Sequence, residues 1–232
     1  MNIAIVLAGG IGERMGEAVV LKQFMEVCGK PVALYPLEFL NSHPKIDEII
    51  IGCKEENIGY MRGIAGKYRL DKVSGIIPGG DTRQETSYKC VTSLEGKAAG
   101  EDIVIIHDAV RPLLTNDIIE NNIRLAEKYG AVNTVLPARS TVVHSADGEI
   151  ISDIPKRNEV YIGQTPQSFQ YKVIRDAHRY CHENNISVTV DCSLVFRHGG
   201  KVALTRGNPA DIKITSSCDL KLFEAFLKIG GA

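Results

Sequence analysis

Charge of one sign is what this sequence has least of. Its 27 lysines and arginines stand against 28 aspartates and glutamates, a formal net charge of −1 over 232 residues. No global basic field exists to draw nucleic acid or an anionic membrane, so neither is expected as a partner. No apolar run approaches the roughly 20 residues of a membrane span. The opening stretch "MNIAIVLAGG" has no basic segment and no small-residue cleavage site, so no secretory signal is read from it. The six cysteines, Cys28, Cys53, Cys90, Cys181, Cys192 and Cys218, include no C-x-x-C pair. Their scatter argues against a zinc site and a disulfide framework; it fits buried small apolar residues in a reducing, cytoplasmic protein. Two nucleotide signatures are also missing. After Gly10 and Gly12, position 15 holds methionine where a dinucleotide fingerprint needs its third glycine, and no Gly-Lys-Ser/Thr of a Walker A loop occurs.

What is present is the profile of an ordinary globular domain, 44% hydrophobic and 24% charged. Continuous apolar runs at 3–8, 48–53, 73–78, 102–108 and 130–137 predict strands covered on both faces. Helical patterns lie between them, near 32–42, 55–69, 82–94 and 115–129. In the last, Thr115 is the expected N-cap and Gly130 the stop. The C-terminal part predicts a helix over 171–184, a short one from Asp191, a strand over 201–205 and a helix over 217–228. Strand–helix alternation implies a single α/β domain over residues 1–232 with a mainly parallel central sheet. Between 139 and 163 the pattern changes: two β-branched runs flank "ADGE", a hairpin signal. With few large residues to bury, this segment is expected to be a protruding arm that completes its packing on a second copy of the chain. A plain surface excursion is the alternative.

The stretch "LAGGIGERMG" follows the first strand and offers backbone N–H groups of the kind that cradle phosphate. Arg14 and Lys22 add two cations that would cover charge developing on a triphosphate. That combination suggests nucleotidyl transfer, although a glycine turn with no ligand has the same local sequence. Asp108 ends an apolar strand, where open α/β sheets place their ligands. One such carboxylate suffices for Mg²⁺, which completes its shell with phosphate oxygens and water.

Four further stretches accompany this loop: "GGDTRQET" (79–86), "HDAVRP" (107–112), "RNEVYIGQTPQSF" (157–169) and "DIKIT" (211–215). In that order, over essentially the whole chain, they resemble the polyol-phosphate cytidylyltransferases, whose branches activate ribitol 5-phosphate or 2-C-methyl-D-erythritol 4-phosphate. The resemblance implies a Rossmann-like nucleotidyltransferase fold, CTP and a polyol phosphate as substrates, and Mg²⁺ as cofactor; the arm at 139–163 is what predicts a homodimer. It implies that Leu7, Ala8, Gly9 and Gly10 lie along CTP, with Gly80, Asp81, Arg83 and Thr86 lining the cytidine pocket. Arg14 and Lys22 would hold the triphosphate, Asp108 the metal, and Arg111 the loop beside it. Arg157 and Lys213 would grip the acceptor phosphate, and Thr165 would help close the site. Taken singly, each of these residues also reads as a turn, cap or surface charge.

Two positions depart from the family pattern, which usually has proline before the loop lysine and Asn-Ile-Lys near the end. Here they are Leu21 and Asp211-Ile212-Lys213. These departures motivate a second reading, a nucleotide-binding module without turnover; an NAD-dependent oxidoreductase is weakened by the missing third glycine. Within the family, "RQETS" and "SDIPKRNEVYIGQTPQSF" resemble the ribitol branch more than the methylerythritol branch.

Overall fold

In the computed structural model, residues 1–10 and 21–230 are described. Arg14 lies outside them. The first strand, β1 (Asn2–Leu7), shows why the sheet forms. Ile3, Ala4, Ile5 and Val6 are all fully buried, and alternate residues enter two different cores. Ala4 and Val6 belong to one apolar cluster, Ile3, Ile5 and Leu7 to the other. A strand apolar on both faces needs cover on both, and helices supply it.

The remaining elements follow in order. A two-residue ribbon, β2 (Glu26–Val27) and β3 (Lys30–Pro31), leads to α1 (Leu34–Ser42), β4 (Glu48–Cys53) and α2 (Ile58–Lys67). Then come β5 (Val73–Pro78), α3 (Arg83–Thr92), β6 (Ile103–Asp108), α4 (Asn116–Tyr129) and β7 (Ala131–Pro137). The chain ends with β8 (Tyr161–Gln170), α5 (Tyr171–Glu183), α6 (Asp191–Arg197), β9 (Ala203–Arg206) and α7 (Ser217–Gly230). The main sheet has the order β5-β4-β1-β6-β8-β7-β9. Only β8 opposes its neighbours: it pairs antiparallel with β6 and β7, while the other pairings are parallel. This is a Rossmann-like α/β fold, as the strand–helix alternation predicts.

Local chemistry sets the helix ends. Thr115 Oγ1 accepts the Ile118 N–H (3.4 Å), and Gly130, at φ +82°, closes α4 in the left-handed conformation that suits glycine. Helix α3 begins with a capping box the sequence reading did not isolate. Thr82 Oγ1 accepts the Glu85 N–H (3.1 Å), and Glu85 Oε2 accepts the N–H groups of Thr82 (3.2 Å) and Asp81 (2.7 Å). Such a cap contributes about 1 kcal/mol and fixes where the helix starts.

Strand β8 departs from the apolar pattern. Gln164, Thr165, Gln167 and Ser168 are buried within it, so no hydrophobic run announces it. The arm is also narrower than its expected 139–163 range. Tyr161, Ile162 and Gly163 already pair with β7 in the main sheet, and the two β-branched runs meet only at the His144–Asp153 bridge. A two-stranded ribbon with no layer beneath it has little to hold a longer ladder. Val143, Ile150, Ile151 and Ile154 are exposed along it.

Four of the six cysteines are buried, and none is paired. Among the described residues, no helix is long and apolar enough to cross a membrane.

Candidate active site

The parallel register places the carboxyl ends of β1, β4 and β6 side by side: Leu7 is level with Gly52 and with Asp108. The chain leaving β1 stays close, with Ala8 N–H donating to Gly52 O (2.7 Å) and Ala109 N–H to Leu7 O (3.0 Å). Above these ends lies a cleft of about 420 Å³. Ten of the sequence-predicted residues line it: Leu7, Ala8, Gly9, Gly10, Lys22, Asp81, Arg83, Thr86, Asp108 and Lys213.

The glycine turn is clamped from below by a residue that no sequence pattern singles out. Gln23 is buried, and its Nε2 donates to Ala8 O (2.8 Å) and Gly10 O (3.1 Å). It ties the start of the loop to the 3₁₀ turn Lys22–Phe24 and so sets Lys22 beside the turn. Leu21, where the family usually has proline, has φ −63°, the value a proline ring would impose. The departure therefore leaves this backbone in the conformation a proline would have.

On the opposite wall, Gly80 donates its N–H to Thr86 Oγ1 (3.1 Å), and Thr86 donates in turn to Thr82 O (3.0 Å). A Cβ at position 80 would fall 2.3 Å from Glu85 Cβ, so the close packing of this turn on α3 requires glycine. Gly80 thus shapes the wall from behind rather than lining the cleft. Asp81 is almost fully exposed and meets Lys54 Nζ at 3.1 Å, a surface pair of small energetic weight.

Asp108 is the electrostatic centre. Arg83 Nε donates to its Oδ1 (3.0 Å) and Lys213 Nζ to its Oδ2 (2.7 Å). Burial pushes the carboxyl's pKa up, but these two cations outweigh it and hold the group well below the usual carboxylate range. The residue is therefore ionised at neutral pH. An ionised carboxylate lining the cleft is a hard oxygen donor of the kind Mg²⁺ takes, so this residue fits that ion.

The backbone of Asp108 is braced from below. Its N–H donates to Thr165 Oγ1 (3.2 Å), whose hydroxyl faces His107 Nδ1 (3.0 Å), while His107 Nε2 meets Arg111 O (2.8 Å). A carbonyl only accepts, so Nε2 carries the proton and Thr165 donates to Nδ1. Burial lowers the His107 pKa to about 4, which keeps the ring neutral. Thr165 lies beneath the cleft floor and does not line the cleft. Arg157, exposed at the head of the 3₁₀ turn Arg157–Glu159, does not line it either.

Asp211 does not line the cleft that Lys213 lines. Its Oδ1 accepts the Leu113 N–H (3.1 Å), and its backbone carbonyl accepts from Arg111 Nη1 (2.8 Å) and Gln164 Nε2 (3.0 Å). Its Oδ2 is buried with no hydrogen-bond partner among the described residues, and burial raises its pKa to about 7. The carboxyl is thus part of the packing between two loops. Arg111 joins the two loops, its backbone N–H donating to Asp108 O (3.0 Å) and its Nη1 to Asp211 O.

A second buried carboxylate, Asp191 at the start of α6, was legible only as a helix start. Its Oδ2 accepts from Arg83 Nη1 (2.6 Å) and its Oδ1 from Ser87 Oγ (2.5 Å), beneath the cleft.

Comparison with known proteins agrees with this arrangement. Residues 2–229 match the family profile described as IspD, 2-C-methyl-D-erythritol 4-phosphate cytidylyltransferase. A Clostridium botulinum protein named 2-C-methyl-D-erythritol 4-phosphate cytidylyltransferase is 38% identical over 98% of this chain and 97% of its own. A Vibrio parahaemolyticus protein named ribitol-5-phosphate cytidylyltransferase is 36% identical over 98% of this chain and 96% of its own. The crystal structure of 4-diphosphocytidyl-2C-methyl-D-erythritol synthase from Anaerococcus prevotii superposes with a TM-score of 0.83 at 26% identity, covering 98% of each chain.

Proposed function

The chain belongs to the IspD family of CTP-dependent cytidylyltransferases, and from that footing we propose that it joins CTP and ribitol 5-phosphate into CDP-ribitol and pyrophosphate. The observation that carries the transfer chemistry is the convergence of the glycine turn, Lys22, Asp108 and Lys213 on one cleft. An oxygen of the acceptor phosphate attacks the α-phosphorus of CTP; the new P–O bond forms as the bond to the bridging oxygen breaks and pyrophosphate leaves. The attacking group is already an anion, so no protein nucleophile or strong base is needed. The work is positioning and charge neutralisation. Backbone N–H groups of Gly9 and Gly10, beyond the Ala8 N–H that the sheet already uses, receive phosphate oxygens, and Lys22 with Arg14 covers the charge that builds on the leaving pyrophosphate. Asp108 would hold Mg²⁺, which supplies further charge neutralisation of the triphosphate. Lys213 then shifts from Asp108 to the acceptor phosphate; its side chain is 42% exposed and its reach is long enough to turn.

The arm supports a homodimer. Val143, Ile150, Ile151 and Ile154 expose apolar surface on a ribbon with no layer beneath it, and Arg157 follows at its base, away from its own cleft. We propose that the arm packs on a second copy and that Arg157 serves the partner's acceptor site. Sedimentation is expected to give twice the 25.3 kDa chain mass, and a monomer would overturn this.

The choice of ribitol rests on "RQETS" and "SDIPKRNEVYIGQTPQSF", which resemble that branch. The second reading, 2-C-methyl-D-erythritol 4-phosphate, is favoured by the 38% identical relative. Pyrophosphate release from CTP and Mg²⁺ with each acceptor in parallel separates them. Release with ribitol 5-phosphate alone is the expected result; release with the branched acceptor alone reverses the assignment.

A further inference from the structure

Arg83 is the first residue of α3, and its guanidinium spans three elements. Nε reaches Asp108 at the end of β6, Nη1 reaches Asp191 at the start of α6, and Nη2 is buried with no hydrogen-bond partner among the described residues. Asp191 is 1% exposed and is itself held on its other oxygen. Ser87, fully buried one turn along α3, donates to Oδ1 (2.5 Å). His178 on α5, also buried, brings Nε2 to 3.2 Å from Ser87 Oγ and 3.7 Å from Asp191 Oδ1. The helix that carries Asp191 is pinned independently, since Cys192 N–H donates to Gln167 Oε1 (3.1 Å) on β8.

We infer that Asp191 is a positioning residue for nucleotide binding: from beneath the cleft it fixes Arg83, whose side chain forms part of the wall against which CTP rests. This rests on the reading of the cleft as the CTP site. The physical reason lies in the unequal demands on the two carboxylates that Arg83 touches. Asp108 lines the cleft, where a bound ligand can draw its cations away. Asp191 is buried away from the cleft, and among the described residues Arg83 is the one lysine or arginine at hydrogen-bonding distance from it. Once Asp108 is engaged elsewhere, Asp191 alone keeps the guanidinium from swinging onto the triphosphate. A planar guanidinium held by one fixed carboxylate keeps its direction, because the fork geometry defines both angle and distance. A buried arginine without that partner would be uncompensated and would move toward water or phosphate.

The test measures CTP affinity by titration calorimetry in Mg²⁺, with melting temperature and acceptor KM alongside. Wild-type protein is measured first; if it does not bind CTP, the reading of the cleft itself fails, and the failure is recognisable as such. Given wild-type binding, Asp191→Asn is expected to weaken CTP at least tenfold while acceptor KM moves less than threefold. In an Arg83→Met background, Asp191→Asn is expected to add no further loss of CTP affinity. An unchanged CTP affinity in folded Asp191→Asn, or losses that simply add in the double variant, would overturn the proposal. Should Asp191→Asn fail to fold, Ser87→Ala carries the test, since it loosens Asp191 and leaves both charges in place. A several-fold loss of CTP affinity is then expected, and none would refute the positioning role.

Discussion

Strands β4, β1 and β6 are held by apolar contact on both faces, whereas β8 and β7 bury a chain of hydrogen-bonded polar groups. In the first region Ile3, Ile5, Ile49, Ile51, Val104 and Ile106 fill the two cores. In the second, buried Asn122 donates to Ile118 O (2.9 Å) and Thr134 Oγ1 (2.9 Å) and accepts from Ser168 Oγ (3.0 Å). Thr134 donates onward to Pro166 O (2.6 Å). The two regions also deliver different halves of the cleft. The apolar strands end at the glycine turn and Asp108. The polar strand β8 carries Gln164, whose Nε2 donates to Asn208 O and Asp211 O (both 3.0 Å) and so holds the segment leading to Lys213. Apolar burial is non-directional and yields the frame. Hydrogen bonds are directional, and they set the angle at which Lys213 meets that frame.

Substitutions in each half test this division. Ile5→Ala removes a fully buried side chain and is expected to cost about 2–5 kcal/mol in chemical denaturation, the range for such truncations. Asn122→Leu keeps volume but strips the Ser168 hydroxyl of its acceptor and Ile118 O and Thr134 of a donor. The expected loss is smaller, about 1–3 kcal/mol, the cost of leaving buried polar groups unmade. Pairing it with Ser168→Ala should restore part of that loss. If Asn122→Leu were the costlier of the two single changes, the distinction between the halves would break.

A pH-dependent effect concerns Asp211, at the seam between them. Its pKa of about 7 in the fold lies above the ordinary 3.8, so the native state binds the proton more tightly than the unfolded chain does. Its contribution is present at low pH and is lost as pH rises from about 4 to about 7. The lowered carboxyls Asp108 and Asp191 act in the opposite sense, lose their contribution only in acid, and are common to both proteins compared. Asp211→Asn is therefore expected to raise the melting temperature relative to wild type by a margin that widens from pH 4 to pH 7 and then levels. A margin that narrows over this window would contradict the placement of Oδ2 in a dry, unpartnered site.

Legibility in the sequence follows the same line. The runs at 48–53 and 73–78 coincide with β4 and β5, and Thr115 and Gly130 cap α4 as read. Each rests on a local signal: unbroken apolar residues, a hydroxyl before a helix, a glycine after it. Strand β8 offers no such signal, because "GQTPQS" buries polar residues that only distant partners satisfy. Gln23 and Asp191 were missed as site residues for a related reason. Their partners, Ala8 O and Arg83, stand 15 and 108 positions away.

By itself, then, the sequence determined the alternation of strands and helices, the glycine turn and the order of the family's motifs. All of these are carried by neighbours a few positions apart, within reach of one turn or one strand. Only the tertiary structure decided which charges meet. Arg83 reaches Asp108 across 25 positions and Lys213 reaches it across 105, while Asp211, two residues from Lys213, faces Leu113 instead. Burial leaves its mark along the chain as periodicity; ion pairing depends on distance in space, and that distance exists only once the sheet has brought its ends together.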